Sequence, residues 1–334
     1  MTLQHSEFAL GDLALQCGEV LPDAKIVYKT YGSLNEKGDN AIVYPTWFSG
    51  QHTDNEWLIG EEMALNPNKY FIVVPNMFGN GLSTSPSNRP DLTTGREFPL
   101  VTPYDNVKAQ HRLLTEKLGV STVALATGWS MGAQQAYHWG ALFPDMVERL
   151  MPFCGSARTA DHNWVFLDGV RAVLWLAANS EESDEAALRA AGRVYAGWAF
   201  SQSFYREQLW ASLGFPSLED FISGFWDGFF VKRNRLDLLA MINTWQNADI
   251  SNNQDYRGDL KLALSSITAK TVVMPSRTDL YFKADDSRLE VPHLQNGQLL
   301  EIDTVWGHAA GVGLNKDDSS FINSVLRKLL SDEI

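Results

Sequence analysis

Two cysteines, Cys17 and Cys154, are all that 334 residues contain. That is too few for a disulfide framework or a cysteine-built zinc site. Basic residues are also in short supply, with 27 Lys+Arg against 40 Asp+Glu and a formal net charge of −13. Such an acidic balance excludes polyanions as the main partners, because nucleic-acid phosphates are met by basic patches. No run approaches the ~18 consecutive apolar residues of a membrane-spanning helix. The opening Met1-Thr-Leu-Gln-His-Ser-Glu7 lacks a basic region followed by an apolar stretch, so no signal peptide is expected. Low-complexity tracts and internal repeats are missing as well. What remains is a globular mix, 45 % hydrophobic and 20 % charged, with enough apolar mass for a large core. A cytoplasmic setting is the expectation, with neither nucleic acid nor membrane as partner.

Short apolar and β-branched runs recur at 25–31, 41–46, 70–75, 122–127, 150–154, 271–275 and 298–303. The inner ones are continuously apolar over 4–6 residues, the pattern of strands buried on both faces of a parallel sheet. Helical patterns lie between them. Thr102-Pro-Tyr-Asp105 supplies an N-cap, a proline at the first helical position and an acid at the third. Val107, Leu114 and Leu118 then share a face, and a last helix over 317–330 carries Phe321, Val325, Leu326 and Leu329 on a similar one. Alternating strands and helices predict an α/β fold, a mostly parallel central sheet with helices on both faces.

Residues 156–265 break the rhythm. They offer no convincing strand, helical stretches at 181–195, 203–213, 218–230 and 234–246, and six of the eleven tryptophans: Trp164, Trp175, Trp198, Trp210, Trp226 and Trp245. An all-helical insertion between strands reads as a lid over the strands' carboxyl ends, where open-sheet sites lie. Most of these tryptophans then belong to the lid's own core, with one or two reaching the site. The organisation is a core in two parts, 1–155 and 266–334, interrupted by a lid at 156–265.

The chemistry centres on Gly128-Trp-Ser130-Met-Gly132, preceded by an apolar strand and followed by an amphipathic stretch. A serine between two glycines on a strand-to-helix turn projects its hydroxyl above the sheet. The helix that follows turns its positive end toward developing negative charge. Serine at its ordinary pKa is a poor nucleophile, so an acid and then a histidine must follow. Asp279 comes after the 271–275 strand and His308 after the 298–303 strand. Asp279 competes with Asp285, Asp286 and Asp303 for orienting the imidazole. Met131 supplies one backbone oxyanion donor, and Phe48 or Trp47 in the loop after the 41–46 strand supplies the other. Ser49-Gly50 reads as an ordinary turn and His52 as a surface loop residue. The glycines of the 75–86 loop lack a G-x-x-x-x-G-K pattern and read as loop architecture.

Assembled, these residues resemble the homoserine O-acetyltransferase family of the α/β-hydrolase superfamily. The resemblance rests on Pro75-Asn76-Met-Phe-Gly79, Asp105-Asn-Val-Lys-Ala-Gln-His-Arg-Leu-Leu, Gly128-Trp-Ser130-Met-Gly132-Ala-Gln-Gln-Ala, Asp279-Leu-Tyr-Phe282 and Gly307-His308. It implies a triad of Ser130, Asp279 and His308, a helical lid, an acyl-serine intermediate, no metal, and a homodimer formed through the lid. Two departures stand out. The family's His-x-Leu-Thr-Gly loop is here Thr46-Trp-Phe-Ser-Gly50, and its lid segment Ser-Tyr-Arg-Ser gives way to a stretch carrying Trp198 and Phe200, with Arg206 nearby. An amino acid's carboxylate is best met by a bidentate arginine, so indole and phenyl groups there favour an apolar acyl or alcohol part. Trp129, Trp198, Phe200 and Arg206 are the candidate pocket residues. The function expected is a serine-dependent hydrolase of small acetyl-type esters. The alternative is an O-acyltransferase with acetyl-CoA as co-substrate and a hydroxyl acceptor, for which Arg158, Arg171, Lys232, Arg233 and Arg235 are basic lid residues, more simply read as a solvated face. A non-catalytic binding protein on the same scaffold is the third reading, disfavoured by an intact triad.

Overall fold

The computed structural model describes residues 5–94, 97–176 and 184–334. Eight strands form one sheet: β1 (Ser6–Ala14), β2 (Val20–Tyr31), β3 (Ala41–Val43), β4 (Phe71–Pro75), β5 (Val123–Trp129), β6 (Arg149–Phe153), β7 (Lys270–Val273) and β8 (Gly297–Leu299). Their order is β1-β2-β4-β3-β5-β6-β7-β8. The first two pairings are antiparallel and the remaining five parallel. The side-chain alternation of the inner strands is visible in the core: Val43, Val73 and Leu150 face one layer, whereas Ile42, Ile72 and Met151 face the other. A strand apolar at every position is thereby buried on both sides. β1 went unread in the sequence because its exposure is irregular, with register shifts on either side of Gly11.

Helices α1 (Pro103–Arg112) and α2 (Met131–Leu142) cover the first layer. Thr102 and Asp105 form the expected capping box on α1, the Thr102 N–H donating to Asp105 Oδ2 at 2.8 Å. The segment expected as a lid follows β6 and contains α3 (Asp161–Leu176), α4 (Asp184–Ala199), α5 (Gln202–Arg206), α6 (Leu218–Phe221), α7 (Gly228–Phe230) and α8 (Arg235–Gln246). A π turn at Ile222–Asp227 joins α6 to α7. The stretch expected as one helix over 203–213 is broken, because Gln208 takes a left-handed conformation between α5 and a 3-10 turn at Leu209–Leu213. Of the helix expected over 181–195, residues 181–183 lie outside the described residues. α3 was missed because it is apolar nearly all round: Phe166, Leu167, Val170 and Leu174 are buried while Trp164, Val165, Trp175 and Leu176 are exposed.

Beyond the lid come α9 (Leu260–Ser265), α10 (Ala284–Glu290) and α11 (Lys316–Leu330). α11 packs Ile322, Val325, Leu326 and Leu329 on the second layer. Phe321, expected on that face, is exposed, and Ile322 takes the inward position. The lid has its own apolar cluster, which includes Phe48, Met131 and Trp306 from the core and so seats the lid over the strands' carboxyl ends.

Candidate active site

β5 ends at Trp129, and the chain reverses sharply at Ser130 to start α2. Ser130 has φ 59° and ψ −126°, a conformation disfavoured by roughly 1–3 kcal/mol for a residue with a Cβ. Its neighbours must be glycine for steric reasons. A Cβ on Gly128 would sit 2.3 Å from the carbonyl carbon of Gly132, and one on Gly132 would sit 2.7 Å from Pro45 O. The turn is held by the Ser130 N–H donating to Phe153 O of β6 (3.2 Å) and by Ala133 and Gln134 N–H donating to Ser130 O.

His308 lies in the loop after β8 and its Nδ1 is 2.6 Å from Asp279 Oδ2. Asp279 is wholly buried, and its other oxygen accepts from the backbone N–H of Tyr281 (3.1 Å) and Phe282 (3.0 Å). A carboxylate only accepts, so the shared proton sits on Nδ1 and leaves the Nε2 lone pair free. Nε2 is buried and has no protein partner among the described residues. The ring is fixed between Tyr281 (4.5 Å), Trp129 (4.7 Å) and Phe282 (5.4 Å). The competing acids are engaged elsewhere or simply not bonded to the ring: Asp303 pairs with Arg277 and Asp285 with Arg288, both at the surface, and Asp286 is half-buried on α10.

The loop carrying His308 is tied at almost every residue. The Thr304 hydroxyl donates to Asp318 of α11 (2.9 Å), Trp306 N–H to Thr304 Oγ1 (3.1 Å), Gly307 N–H to Thr278 Oγ1 (3.1 Å), and Trp129 Nε1–H to His308 O (3.0 Å). The lid contributes one bond, from the Ser201 hydroxyl to Val305 O at 2.5 Å. Burial raises the Asp318 carboxyl to about 6, an effect that the Thr304 hydroxyl partly offsets.

Ser130 and His308 open onto one cavity of about 250 Å³ between core and lid. Its walls are largely aromatic, and Trp47, Phe48, Trp129 and Phe200 all line it. Trp226 is the one of the six lid tryptophans that reaches it. Tyr195 and Tyr281, whose hydroxyls lie 3.3 Å apart, close one side, and burial pushes both phenols well above the usual range. The backbone N–H groups of Trp47, Phe48 and Met131 have no protein acceptor among the described residues.

Two candidate pocket residues are not brought to this cavity. Trp198 lies on α4 one residue before Ala199, which faces the cavity, and that step of about 100° turns it against Phe166 and His162. It lines a separate open cleft with His162, Lys283 and Asp286. Arg206 is exposed at the end of α5 and does not line the cavity. Phe200, just beyond the end of α4, does.

His52 is buried rather than on the surface. The Asn76 side chain, from the loop after β4, accepts from the His52 N–H (3.0 Å) and donates to its Nδ1 (3.1 Å), so a second loop covers it. Desolvation lowers its pKa. The 75–86 loop is architectural, as in Ser83, whose Oγ accepts from Val27 N–H and donates to Asn76 O. Ser49, which the sequence presents as part of an ordinary turn, lines the cavity at a positive φ.

A family model for the alpha/beta hydrolase fold matches residues 55–310. An ethyl acetate hydrolase of Pseudomonas veronii is 36 % identical over 342 residues, covering 98 % of this chain and 96 % of that protein. A homoserine O-acetyltransferase of Chlorobium chlorochromatii (strain CaD3) is 24 % identical, covering 93 % and 92 %. Among solved structures, an acetylester hydrolase from Corynebacterium glutamicum matches with a TM-score of 0.93 at 34 % identity, over 98 % of this chain and 96 % of that one. The chain belongs to the alpha/beta hydrolase family, with esterases and homoserine O-acetyltransferases among its relatives.

Proposed function

We propose that the protein is a serine ester hydrolase that cleaves small acetyl-type esters. The observation that carries this reading is the His308 ring, which is bonded to Asp279 through Nδ1, has no partner at Nε2 among the described residues, and lines the same small aromatic cavity as Ser130. Ser130 Oγ attacks the ester carbonyl as His308 Nε2 takes its proton. The oxyanion is met by the Met131 N–H and by that of Phe48 or Trp47. His308 then protonates the alkoxy oxygen and the alcohol leaves. Water, giving a proton to His308, attacks the acyl-serine; His308 returns that proton to Ser130 Oγ as the bond to the acyl carbon breaks, and the acid departs. Side chains and backbone carry every step, and the reading calls for no cofactor.

The cavity supports a small substrate, since its volume of about 250 Å³ falls below the ~300–1,000 Å³ usual for drug-sized ligands. The names of the relatives, an ethyl acetate hydrolase and an acetylester hydrolase, support the acetyl group. A transferase reading with acetyl-CoA shares the acyl-serine step, and the homoserine O-acetyltransferase relative supports its chemistry. No lysine or arginine is among the residues lining the cavity, however, and Phe200 gives an amino acid's carboxylate nothing to bind. Titration of released acid with ethyl acetate, propionate and butyrate esters tests the reading. Rates should fall with acyl length, and Ser130→Ala should abolish them; preference for long acyl chains would contradict it.

Homodimerisation through the lid belongs to the same reading. It is supported by α3, which exposes Trp164 and Val165 near one end and Trp175 and Leu176 at the other, large apolar groups of the kind found at association surfaces. Sedimentation equilibrium of the wild type and of Trp164→Glu, expected to give dimer and monomer, tests it. A cytoplasmic setting is likewise proposed, supported by two cysteines that form no disulfide with each other. Among the described residues no helix is long and apolar enough to cross a membrane.

A further inference from the structure

Ser49 stands out among the cavity's walls. It has φ +63°, it is 3 % exposed, and its hydroxyl has no hydrogen-bond partner among the described residues. Other polar side chains around it are engaged. Trp47 Nε1–H donates to Asn55, Trp129 Nε1–H to His308 O, Thr46 Oγ1 accepts from Met77 N–H, and the Tyr195 and Tyr281 hydroxyls face each other. Asp54 accepts from Gln51 N–H, and Trp226 Nε1, also unpaired, lies toward Tyr205 in the lid. Apart from that indole, the buried polar side-chain atoms lining the cavity without a partner are His308 Nε2 and Ser49 Oγ.

A buried hydroxyl without a partner is costly, and a positive φ is a conformation that glycine adopts far more readily than serine. Both penalties fall on one residue, next to Phe48, whose N–H is a candidate oxyanion donor. Serine hydroxyls serve as oxyanion donors when they are fixed where charge develops. We propose that Ser49 Oγ–H donates to the ester carbonyl oxygen as it becomes the oxyanion, a third donor beside the two backbone N–H groups. Its proton stays on Ser49 throughout, so the hydroxyl stabilises charge and exchanges no atoms. The assignment rests on the acyl-serine reading and extends it by one catalytic residue.

Ser49→Gly removes the hydroxyl and relieves the backbone, so folding is preserved; Ser49→Ala removes the hydroxyl with the φ unchanged. With p-nitrophenyl acetate, both should lower kcat by about 10²-fold while KM moves less than about twofold. Affinity for methylboronic acid, whose tetrahedral serine adduct carries a negative oxygen, should fall with kcat, and the pH midpoint of kcat/KM should stay in place. Wild-type kcat in both variants, beside an inactive Ser130→Ala, overturns the role of Ser49 alone. So does a loss of activity that appears in KM while boronate affinity is retained. An active Ser130→Ala overturns the underlying acyl-serine reading instead.

Discussion

The Ser201 hydroxyl of the lid donates to the carbonyl oxygen of Val305, three residues before His308 in the chain. Lid backbone also packs onto Gly307, where a Cβ would lie 2.8 Å from Ser201 N. Ser201 follows Phe200, which lines the cavity, so the cavity wall and the loop that carries His308 are joined by this hydrogen bond. Losing that bond should loosen His308 and leave the cavity's shape intact. Ser201→Gly, tolerated at the N-cap of α5, is expected to lower kcat by up to about 10²-fold with KM nearly constant. Ser201→Thr, which keeps the hydroxyl, should recover most of it. Steady-state kinetics on the two variants checks this, and equal activity in both would remove the coupling.

Asp279→Asn keeps an acceptor for the Tyr281 and Phe282 N–H groups but presents an N–H to His308 Nδ1. The imidazole then carries its proton on Nε2 and cannot accept one from Ser130. A fall of about 10⁴-fold in kcat is expected, with thermal stability close to the wild type. Asp303→Asn, at the surface beside Arg277, should keep normal turnover. Parallel rates and melting curves for the two variants provide the check.

Phe200 stacks on Phe204 at 4.0 Å and lines the cavity. Phe200→Leu should widen it, raising kcat/KM for butyrate relative to acetate esters by about 10-fold and costing about 1–3 kcal/mol of stability. An unchanged acyl preference would place the acyl group elsewhere in the cavity.

Glu290, on α10, is buried against Tyr137, and its Oε1 accepts from the Ala157 N–H at 2.9 Å. Desolvation raises its carboxyl from 4.5 to about 8. The folded protein therefore holds this proton more tightly than the unfolded chain, and stability falls as pH rises from about 4.5 through about 8. Glu290→Gln keeps the acceptor for Ala157 and removes the titration. Denaturant unfolding at intervals across that window should show the wild type losing stability relative to the variant; parallel curves would contradict the assignment.

The relation between sequence and structure differs from residue to residue. The turn at Ser130 and the pairing of Asp279 with His308 were legible because each residue sits at a strand end, in chain order, with chemistry that few other residues share. The inner strands were legible because burial on both faces leaves an unbroken apolar run. Trp198 and Phe200 lie two residues apart, and only the end of α4 at Ala199 separates the one facing His162 from the one facing the cavity. His52 is polar and flanked by polar residues, and its burial comes from Asn76, which is distant in sequence. Ser49 gave no signal, because a serine before a glycine is common in turns and its positive φ depends on how the loop is packed.

The central claim is that an acyl group resides on Ser130 and is removed by water. Purified protein is mixed with p-nitrophenyl acetate in plain buffer, quenched at intervals, and read by intact mass and peptide mapping while nitrophenolate release is followed. The account predicts one acetyl group on the peptide containing Ser130, which appears with the first turnover and clears as hydrolysis continues. An adduct that persists until homoserine or another hydroxyl acceptor is added, or one on a different residue, would contradict it.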